Sequence, residues 1–416
     1  MQVFKFGGAS IKDANGVKNL ASVLKKVGYK NTLVVVSAMG KTTNALELVI
    51  KNYFDNKTEL QSSLQDVKKY HNAILLDLFD NVNHDVFKKV NVLFDELNNF
   101  LKTNKSPDYN YVYDQSIGFG ELISTTIISA YLNTIHIKNN WIDVRSQIKT
   151  DSYYRQANVN WKVTQQLISS NFDRSILNIT QGFLGSDNNN FTTTLGREGS
   201  DYTAAIYAYC LNANNVTIWK DVPGVLNADP RYFEHVQLLN KISYREAIEL
   251  AFYGASVIHP KTLQPLQGKE IPLYVKSFLN PEAKGTQIGK NETLEPMMPC
   301  FIVKKKQVLI SLSSLDFSYI VEENISEIFN FLHEYKMKVD VIQNSAISFT
   351  VCVDNIYNNL EALIQNLKAK FKVSCHENVS LYTIRHYDEA AISNIEKGKT
   401  ILLKQLTPQT VQIITK

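Results

Sequence analysis

Val3-Phe4-Lys5-Phe6-Gly7-Gly8-Ala9-Ser10 (residues 3–10) is a short apolar strand broken by a glycine pair, with a helix-like stretch directly behind it. Without side chains at Gly7 and Gly8, backbone N–H groups can face an anion, and a following helix adds its positive end. The arrangement is a phosphate cradle at the end of a strand. It lacks the full spacing of a Walker loop or a dinucleotide fingerprint, so by itself it also reads as a plain turn.

Outward from this segment the same alternation continues, with candidate strands at residues 33–37, 176–181, 216–219 and 273–277 separated by amphipathic helical stretches. Such a pattern predicts a mainly parallel sheet covered by helices on both faces. Phe87, Val90, Phe94, Leu97 and Leu101 recur every three or four residues, as in a helix packed along one stripe. Asn188, Asn189 and Asn190 mark a loop or hairpin tip ahead of residues 192–195.

Pro296 and Pro299 close the segment after Gly289 and set a boundary. Beyond it the rhythm changes to a strand at 308–312, a helix at 322–335, strands at 339–343 and 347–353, and a helix at 360–370. That order describes a small α+β module of the split type. The tail offers a strand at 381–385, a helix at 389–397 and strands at 401–405 and 410–414, which read as a shortened second copy. The expected domains are therefore residues 1–290, 297–376 and 377–416.

The chain has 416 residues, 44% of them hydrophobic, enough for two or three soluble domains with real cores. Its net charge of +4 comes from 44 basic and 40 acidic residues spread along the chain. No dense Lys/Arg block suggests a nucleic-acid groove, and no nucleic-acid partner is expected. Cys210, Cys300, Cys352 and Cys375 lack zinc or dithiol spacing and read as reduced thiols. No basic-then-apolar leader precedes the first strand and no apolar run is long enough to cross a bilayer, so a cytoplasmic protein without a membrane partner is expected.

Two further clusters carry chemistry. In Thr194-Leu195-Gly196-Arg197-Glu198-Gly199-Ser200-Asp201, Arg197 offers a fork suited to a carboxylate and Asp201 sits near a helix start. A capped helix with a surface arginine fits the same residues equally well. Lys220-Asp221-Val222-Pro223-Gly224-Val225, with Ala228-Asp229-Pro230-Arg231 behind it, follows a strand at the edge where α/β proteins bind nucleotides. A simple Pro-Gly turn would not call for Asp229 and Arg231.

Together these segments resemble the aspartate kinase family, within the larger amino acid kinase fold. The opening Lys5-Phe6-Gly7-Gly8-Ala9-Ser10 is similar to the family's first signature. Ser37-Ala38-Met39-Gly40-Lys41-Thr42-Thr43-Asn44, Gly120-Glu121-Leu122-Ile123-Ser124, the Thr194 to Arg197 run, the Asp221 to Gly224 run and Gly254-Ala255-Ser256-Val257-Ile258-His259-Pro260 follow in the family's order. Several separated motifs in one order are far more specific than one glycine pair. The likeness spans residues 1 to about 290, and a weaker one to ACT domains continues to the end.

The resemblance implies a three-layer α/β/α sandwich with a mainly parallel sheet, followed by an ACT-like, ferredoxin-like α+β regulatory domain. It implies ATP-dependent phosphorylation of the L-aspartate side-chain carboxylate to 4-phospho-L-aspartate, the first step toward lysine, threonine and methionine. ATP and Mg²⁺ would be required, the metal held chiefly by phosphate oxygens. Lys5 would neutralise the transferring phosphoryl group and Asp201 would hold that lysine, while Gly7, Gly8 and Ser10 line the phosphates. Arg197 would pair with the substrate α-carboxylate and Glu121 with its α-ammonium, with Ser37, Thr43 and Ser200 nearby. Lys220, Asp221, Gly224, Asp229, Arg231 and Ser256 would face ATP.

Four positions depart from the family. Lys220 replaces a common threonine, Leu226 a tyrosine and Ser256 a lysine, all on the nucleotide side, and Lys220 is expected to supply the charge lost at Ser256. Glu198 stands where many relatives have glycine. His259, in the turn before Pro260, reads as a structural hydrogen-bonding residue rather than a catalytic one.

Rival readings are another kinase of the same fold acting on glutamate, acetylglutamate or a nucleoside monophosphate, or a catalytically silent amino-acid sensor. The Lys-Phe-Gly-Gly opening with Arg197 to Asp201 favours aspartate, and a sensor would not need Lys5. The ACT-like modules imply lysine or threonine as an effector, with Asp316, Asp340, Val341 and Asn344 where it would bind, and a homodimer or higher homo-oligomer. With the chain stopping at Lys416, no fused dehydrogenase domain is expected.

Overall fold

Val3, Phe4, Lys5 and Phe6 are all buried, because the strand that carries them, β1 (Gln2–Phe6), runs through the middle of a sheet and is covered on both faces. Such strands read as continuous apolar runs, and β2 (Thr32–Val36) is buried throughout for the same reason. Residues 1–255 and 258–416 are described by the computed structural model. They divide into two units: Met1–Val225, Leu238–Ile248 and Val257–Pro296 in the first, and Leu226–Gln237, Glu249–Ser256 and Met297–Lys416 in the second.

The first unit adds β3 (Asn139–Ile142), β4 (Leu177–Gln181), β5 (Leu184–Ser186), β6 (Thr192–Thr194), β7 (Asn215–Lys220), β8 (Lys241–Ser243), β9 (Leu273–Ser277) and β10 (Thr286–Gly289). Eight of its strands form one sheet in the order β3-β4-β2-β1-β7-β9-β10-β8. Pairing is parallel from β3 through to β9, and only the contact of β10 with β9 is antiparallel. β5 and β6 form a separate hairpin, with Asn188 to Asn190 at its tip, as the sequence suggests. The expected helical stripe lies on Asp85–Thr103, where Val90, Phe94, Leu97 and Leu101 are buried.

One expectation needs correction. No long helix starts directly behind the glycine pair. Gly8–Ile11 is a single 3₁₀ turn, and the helix proper, Ala14–Val27, begins after Asp13, whose side chain accepts the Gly16 N–H. An anionic cap that takes one of the orphan donors therefore already stands at that helix end, where a phosphate would have to lie.

The second unit holds β11 (Cys300–Ser313), β12 (Lys338–Asn344), β13 (Ser348–Asp354), β14 (Lys372–Arg385), β15 (Ile401–Leu406) and β16 (Thr410–Thr415) in one antiparallel sheet ordered β12-β13-β11-β14-β16-β15. β11 and β14 are each 14 residues long and pair along their length, with register shifts between Lys304 and Leu309. Residues 300–304 pair with 381–385, so the tail of the chain is completed by a strand that precedes the first repeat. The two repeats keep separate cores: Ile310, Leu312, Ile328, Leu332, Val351 and Leu363 build one, and Ile384, Ile392, Val411 and Ile413 the other. Among the described residues the four cysteines are free thiols, and no helix is long and apolar enough to cross a membrane.

Candidate active site

The carboxyl ends of β1, β2, β4 and β7 lie side by side, and the loops leaving them carry most of the singled-out residues. Gly8 is there because nothing larger fits: a Cβ would come to 2.7 Å from the Ala38 carbonyl oxygen and 2.8 Å from that of Gly40. The Gly40 N–H donates to the Gly8 carbonyl at 3.0 Å and the Ser37 N–H to that of Phe6 at 3.1 Å, which ties the Gly7-Gly8 turn to residues 37–40. Ser10 closes the turn, its hydroxyl donating to the Gly7 carbonyl at 2.6 Å. A Cβ on Gly7 would sit 3.2 Å from Lys5 Nζ, so the bare glycine leaves the ammonium room at the cradle.

Lys5 Nζ lies 2.7 Å from Asp201 Oδ1, with both side chains almost wholly buried. Asp201 is in the first turn of Gly199–Leu211, where a carboxylate is favoured by the helix dipole. That turn comes close because Gly182 and Gly199 are glycines. Side chains there would collide with Ser200 Cβ at 2.4 Å and with Phe183 Cδ2 at 2.6 Å. A buried pair of this kind is costly to break, about 3–5 kcal/mol when one partner is removed, because the other charge is left stranded.

Glu121 enters from the first turn of Phe119–Thr134. Gly120 lets that helix approach, since a Cβ would reach 2.9 Å from the Ala38 Cβ. Ser124 donates its hydroxyl to the Ser37 carbonyl at 2.7 Å, holding helix and loop together. Glu121 Oε1 accepts the Ala38 N–H at 3.2 Å, but Oε2 is buried with no partner. Burial pushes the carboxyl up to about 8, although the Ala38 N–H and the positive charge of Lys5 pull the other way. A buried carboxylate oxygen without a donor is a candidate acceptor for a cationic group. Ser37, at the end of β2, and Thr43, in the first turn of Thr42–Asp55, are half-buried.

Arg197 is exposed and has no ion pair among the described residues. The segment leading to it is anchored by Asp114, a residue that sequence reading did not single out. Asp114 accepts the Thr194 N–H at 2.8 Å, the Thr194 hydroxyl at 2.8 Å and the Arg155 N–H at 3.0 Å, and burial pushes its carboxyl up to about 6. Glu198, next to Arg197, takes a left-handed conformation at φ 53°, costly for a residue with a side chain. His71 was also missed. Wholly buried, it contacts the Val67 carbonyl through Nδ1 at 2.8 Å and the Thr42 hydroxyl through Nε2 at 3.3 Å, and burial lowers its pKa to about 4.

The nucleotide-side residues are only partly brought together. Lys220 ends β7, the strand beside β1, with exposed Asp221 following it. Gly224 passes so near Thr286 that a Cβ would lie 2.5 Å from its hydroxyl, and that hydroxyl accepts the Val225 N–H at 2.8 Å. Asp229 and Arg231 pair with one another, Nη2 to Oδ2 at 2.5 Å, and with Leu226 they belong to the segment grouped with the second unit. Ser256 lies outside the described residues. His259 caps the helix Pro260–Gly268, its Nδ1 accepting the Lys261 N–H at 3.2 Å, a structural task.

Known proteins resemble this chain. Residues 1–277 match the amino acid kinase family. Lysine-sensitive aspartokinase 3 of Escherichia coli (strain K12) is 30% identical over 393 residues, covering 92% of this chain and 86% of its own. The solved structure of E. coli aspartokinase III with lysine and aspartate superposes with a TM-score of 0.84 at 27% identity, covering all of this chain and 95% of that one. The same enzyme with aspartate and ADP gives 0.82 at 28% identity, covering 100% and 96%. This chain belongs to the amino acid kinase family and, within it, to the aspartokinases.

Proposed function

We propose that the protein is an aspartate kinase whose centre is built on Lys5, Asp201, Glu121 and Arg197. The observation that carries this is the buried Lys5–Asp201 pair at 2.7 Å, beside the glycine turn, with a free oxygen of Glu121 in the same cluster of loops.

The nucleophile is the side-chain carboxylate of aspartate, ionised at neutral pH with a pKa of about 4, so no general base is needed. One of its oxygens bonds to the γ-phosphorus as the bond to the ADP oxygen breaks, and no proton changes hands. The obstacle is repulsion between two anions, which oriented donors and cations remove. Lys5 does this for the transferring group, and Asp201 keeps its ammonium pointed. Glu121 Oε2 receives the substrate ammonium and Arg197 its α-carboxylate, leaving the side-chain carboxylate toward the phosphate. Gly7, Gly8 and Ser10 bound the phosphates, with Ser37, Thr43 and Ser200 beside the amino acid.

Lys220, Asp221, Gly224, Asp229, Arg231 and Ser256 complete the nucleotide side of the proposal. Mg²⁺ would offset phosphate charge. Among the described residues no three His, Cys, Asp or Glu side chains gather as a metal site, and Asp201 is committed to Lys5. The metal would be held chiefly by phosphate oxygens and water. Lysine, present in a solved relative, is the first effector to test, with threonine second. The domain division at about residues 290 and 376 and assembly as a homo-oligomer belong to the same reading.

The deciding assay couples ADP release to candidate acceptors and traps the acyl phosphate with hydroxylamine. Turnover with aspartate is expected. Turnover with glutamate or acetylglutamate alone, or none, would sink the reading.

A further inference from the structure

At the far edge of the first unit's sheet, β8, β10 and β9 present a row of polar side chains on one face. Lys241 is the register partner of Gln287, which in turn faces Tyr274, and Lys276 follows Tyr274 on the same face two residues along. The turn before β10 folds tightly over β9. Gly285 has φ +68° and a Cβ there would lie 2.2 Å from the Val275 carbonyl oxygen, so only glycine permits the crossing. That crossing brings Lys284 over the row. The result is a cavity of about 400 Å³, a size suited to a small metabolite.

Its charges are unbalanced. Lys241, Lys276 and Lys284 line it with one carboxylate, that of Glu295, and a second, Glu292, stands behind Lys241 and Gln287. Lys241 is loosely held, 3.7 Å from Glu295 Oε2 and 3.9 Å from Glu292 Oε2, both beyond hydrogen-bonding reach. Among the described residues Lys276 and Lys284 meet no acidic partner. Lys276 is half-buried, and its amine is lowered by desolvation with no opposing charge to restore it. A cation held partly out of water, facing an open cavity, is the counterpart of the unpartnered Glu121 oxygen.

We propose that this cavity binds a small phosphomonoester dianion, at a site apart from the catalytic centre. Three ammonium groups from separate segments act as point charges around a compact dianion, where a planar carboxylate would call for the fork of an arginine. The Tyr274 hydroxyl adds a donor for the ester oxygens, while the Gln287 amide donates to Glu292 Oε1 at 2.9 Å. Lys276 and Ser277 are the register partners of Trp219 and Lys220 on β7.

The test is calorimetric titration of the full chain with glycerol 3-phosphate, inorganic phosphate and succinate, with chloride at matched ionic strength as the control. Saturable binding of both phosphates is expected. It should weaken at least tenfold in Lys276→Met and persist in Lys276→Arg. Carbon-13 reductive methylation gives a readout independent of folding differences: the Lys276 signal, assigned by its loss in Lys276→Arg, should titrate at higher pH once phosphate is saturating. Equal affinity in Lys276→Met, no binding beyond that of chloride, tighter binding of succinate than of either phosphate, or an unmoved Lys276 signal would each overturn the proposal.

Discussion

Replacing Glu121 with glutamine tests the proposed centre most directly, because the proposed acceptor of the substrate ammonium would set both substrate affinity and pH dependence. Its carboxyl stands at about 8 against an ordinary value of 4.5. At pH 7 about nine-tenths of it is therefore protonated, and a protonated carboxyl does not attract an ammonium ion. If only the ionised form binds aspartate, apparent affinity is reduced by the ionised fraction. The aspartate KM should then fall by about 50-fold between pH 6 and pH 8 and level off above. Binding at pH 7 should also release nearly one proton, visible as a binding heat that depends on the buffer's ionisation enthalpy. In Glu121→Gln the KM should rise by about 30- to 150-fold at pH 8, from the loss of about 2–3 kcal/mol of charge-assisted bonding, and should lose its pH dependence. Stability supplies a second sign. An acid whose folded pKa is raised leaves the unfolded chain binding fewer protons between pH 4.5 and 8, so stability falls as pH climbs through that window. At 1.36 kcal/mol per pKa unit the loss is about 3 kcal/mol by pH 7. Glutamine removes it at the cost of about 1–3 kcal/mol for an unpaired amide, so the variant should be the less stable at pH 5 and the more stable at pH 9. A pH-independent aspartate KM in the native protein, with no proton release, refutes the reasoning.

Lys5→Met should lower kcat at least 100-fold and cost about 3–5 kcal/mol by stranding Asp201; adding Asp201→Asn should restore stability in thermal melts but not turnover. Glu198→Gly should raise the melting temperature by a few degrees, since releasing the left-handed strain is worth about 1 kcal/mol; an unchanged or lower value would show that the side chain compensates its own strain. His71 has a folded pKa of about 4 against 6.5, so its share of stability is complete above pH 6.5 and is lost as pH falls toward 4, about 3 kcal/mol in all. His71→Gln should flatten that acid limb in denaturation measured from pH 7 to 4. Lys220→Ala should raise the KM for ATP several-fold if that lysine replaces the charge absent at Ser256, and an unaltered value would dismiss the substitution.

The sheet was legible because its central strands are buried on both faces, and continuous apolar runs such as residues 32–36 resemble little else. The second unit was harder. Its strands and helices were readable one by one, yet nothing in Cys300–Lys304 indicates that this stretch pairs with residues 381–385 and completes the tail. Pairing partners some 80 residues apart leave no periodicity for a local pattern to reveal. The 3₁₀ turn at Gly8–Ile11 escaped for a different reason: Asp13, a good N-cap, outcompetes the earlier glycines as the helix start.

For the site the division is between residue types and their satisfaction. Lys5, Glu121, Arg197 and Asp201 could be named from motifs, whereas Asp114, which lies outside every motif, and the bond from the Ala38 N–H to Glu121, which motif residues alone do not reveal, could not. Whether a polar atom has a partner is a property of three-dimensional packing alone. The folded chain satisfies nearly all such atoms, so an exception carries information that composition cannot. Glu121 Oε2 lacks a cation and Lys276 lacks an anion. Each cost is borne in the free protein and removed when a ligand of opposite charge arrives, which favours binding of that charge over its isosteres. The same physics that supports the ammonium of aspartate as the proposed partner of Glu121 therefore supports a small anion as that of Lys276, and the glycerol 3-phosphate titration tests that rule where no family motif guides it.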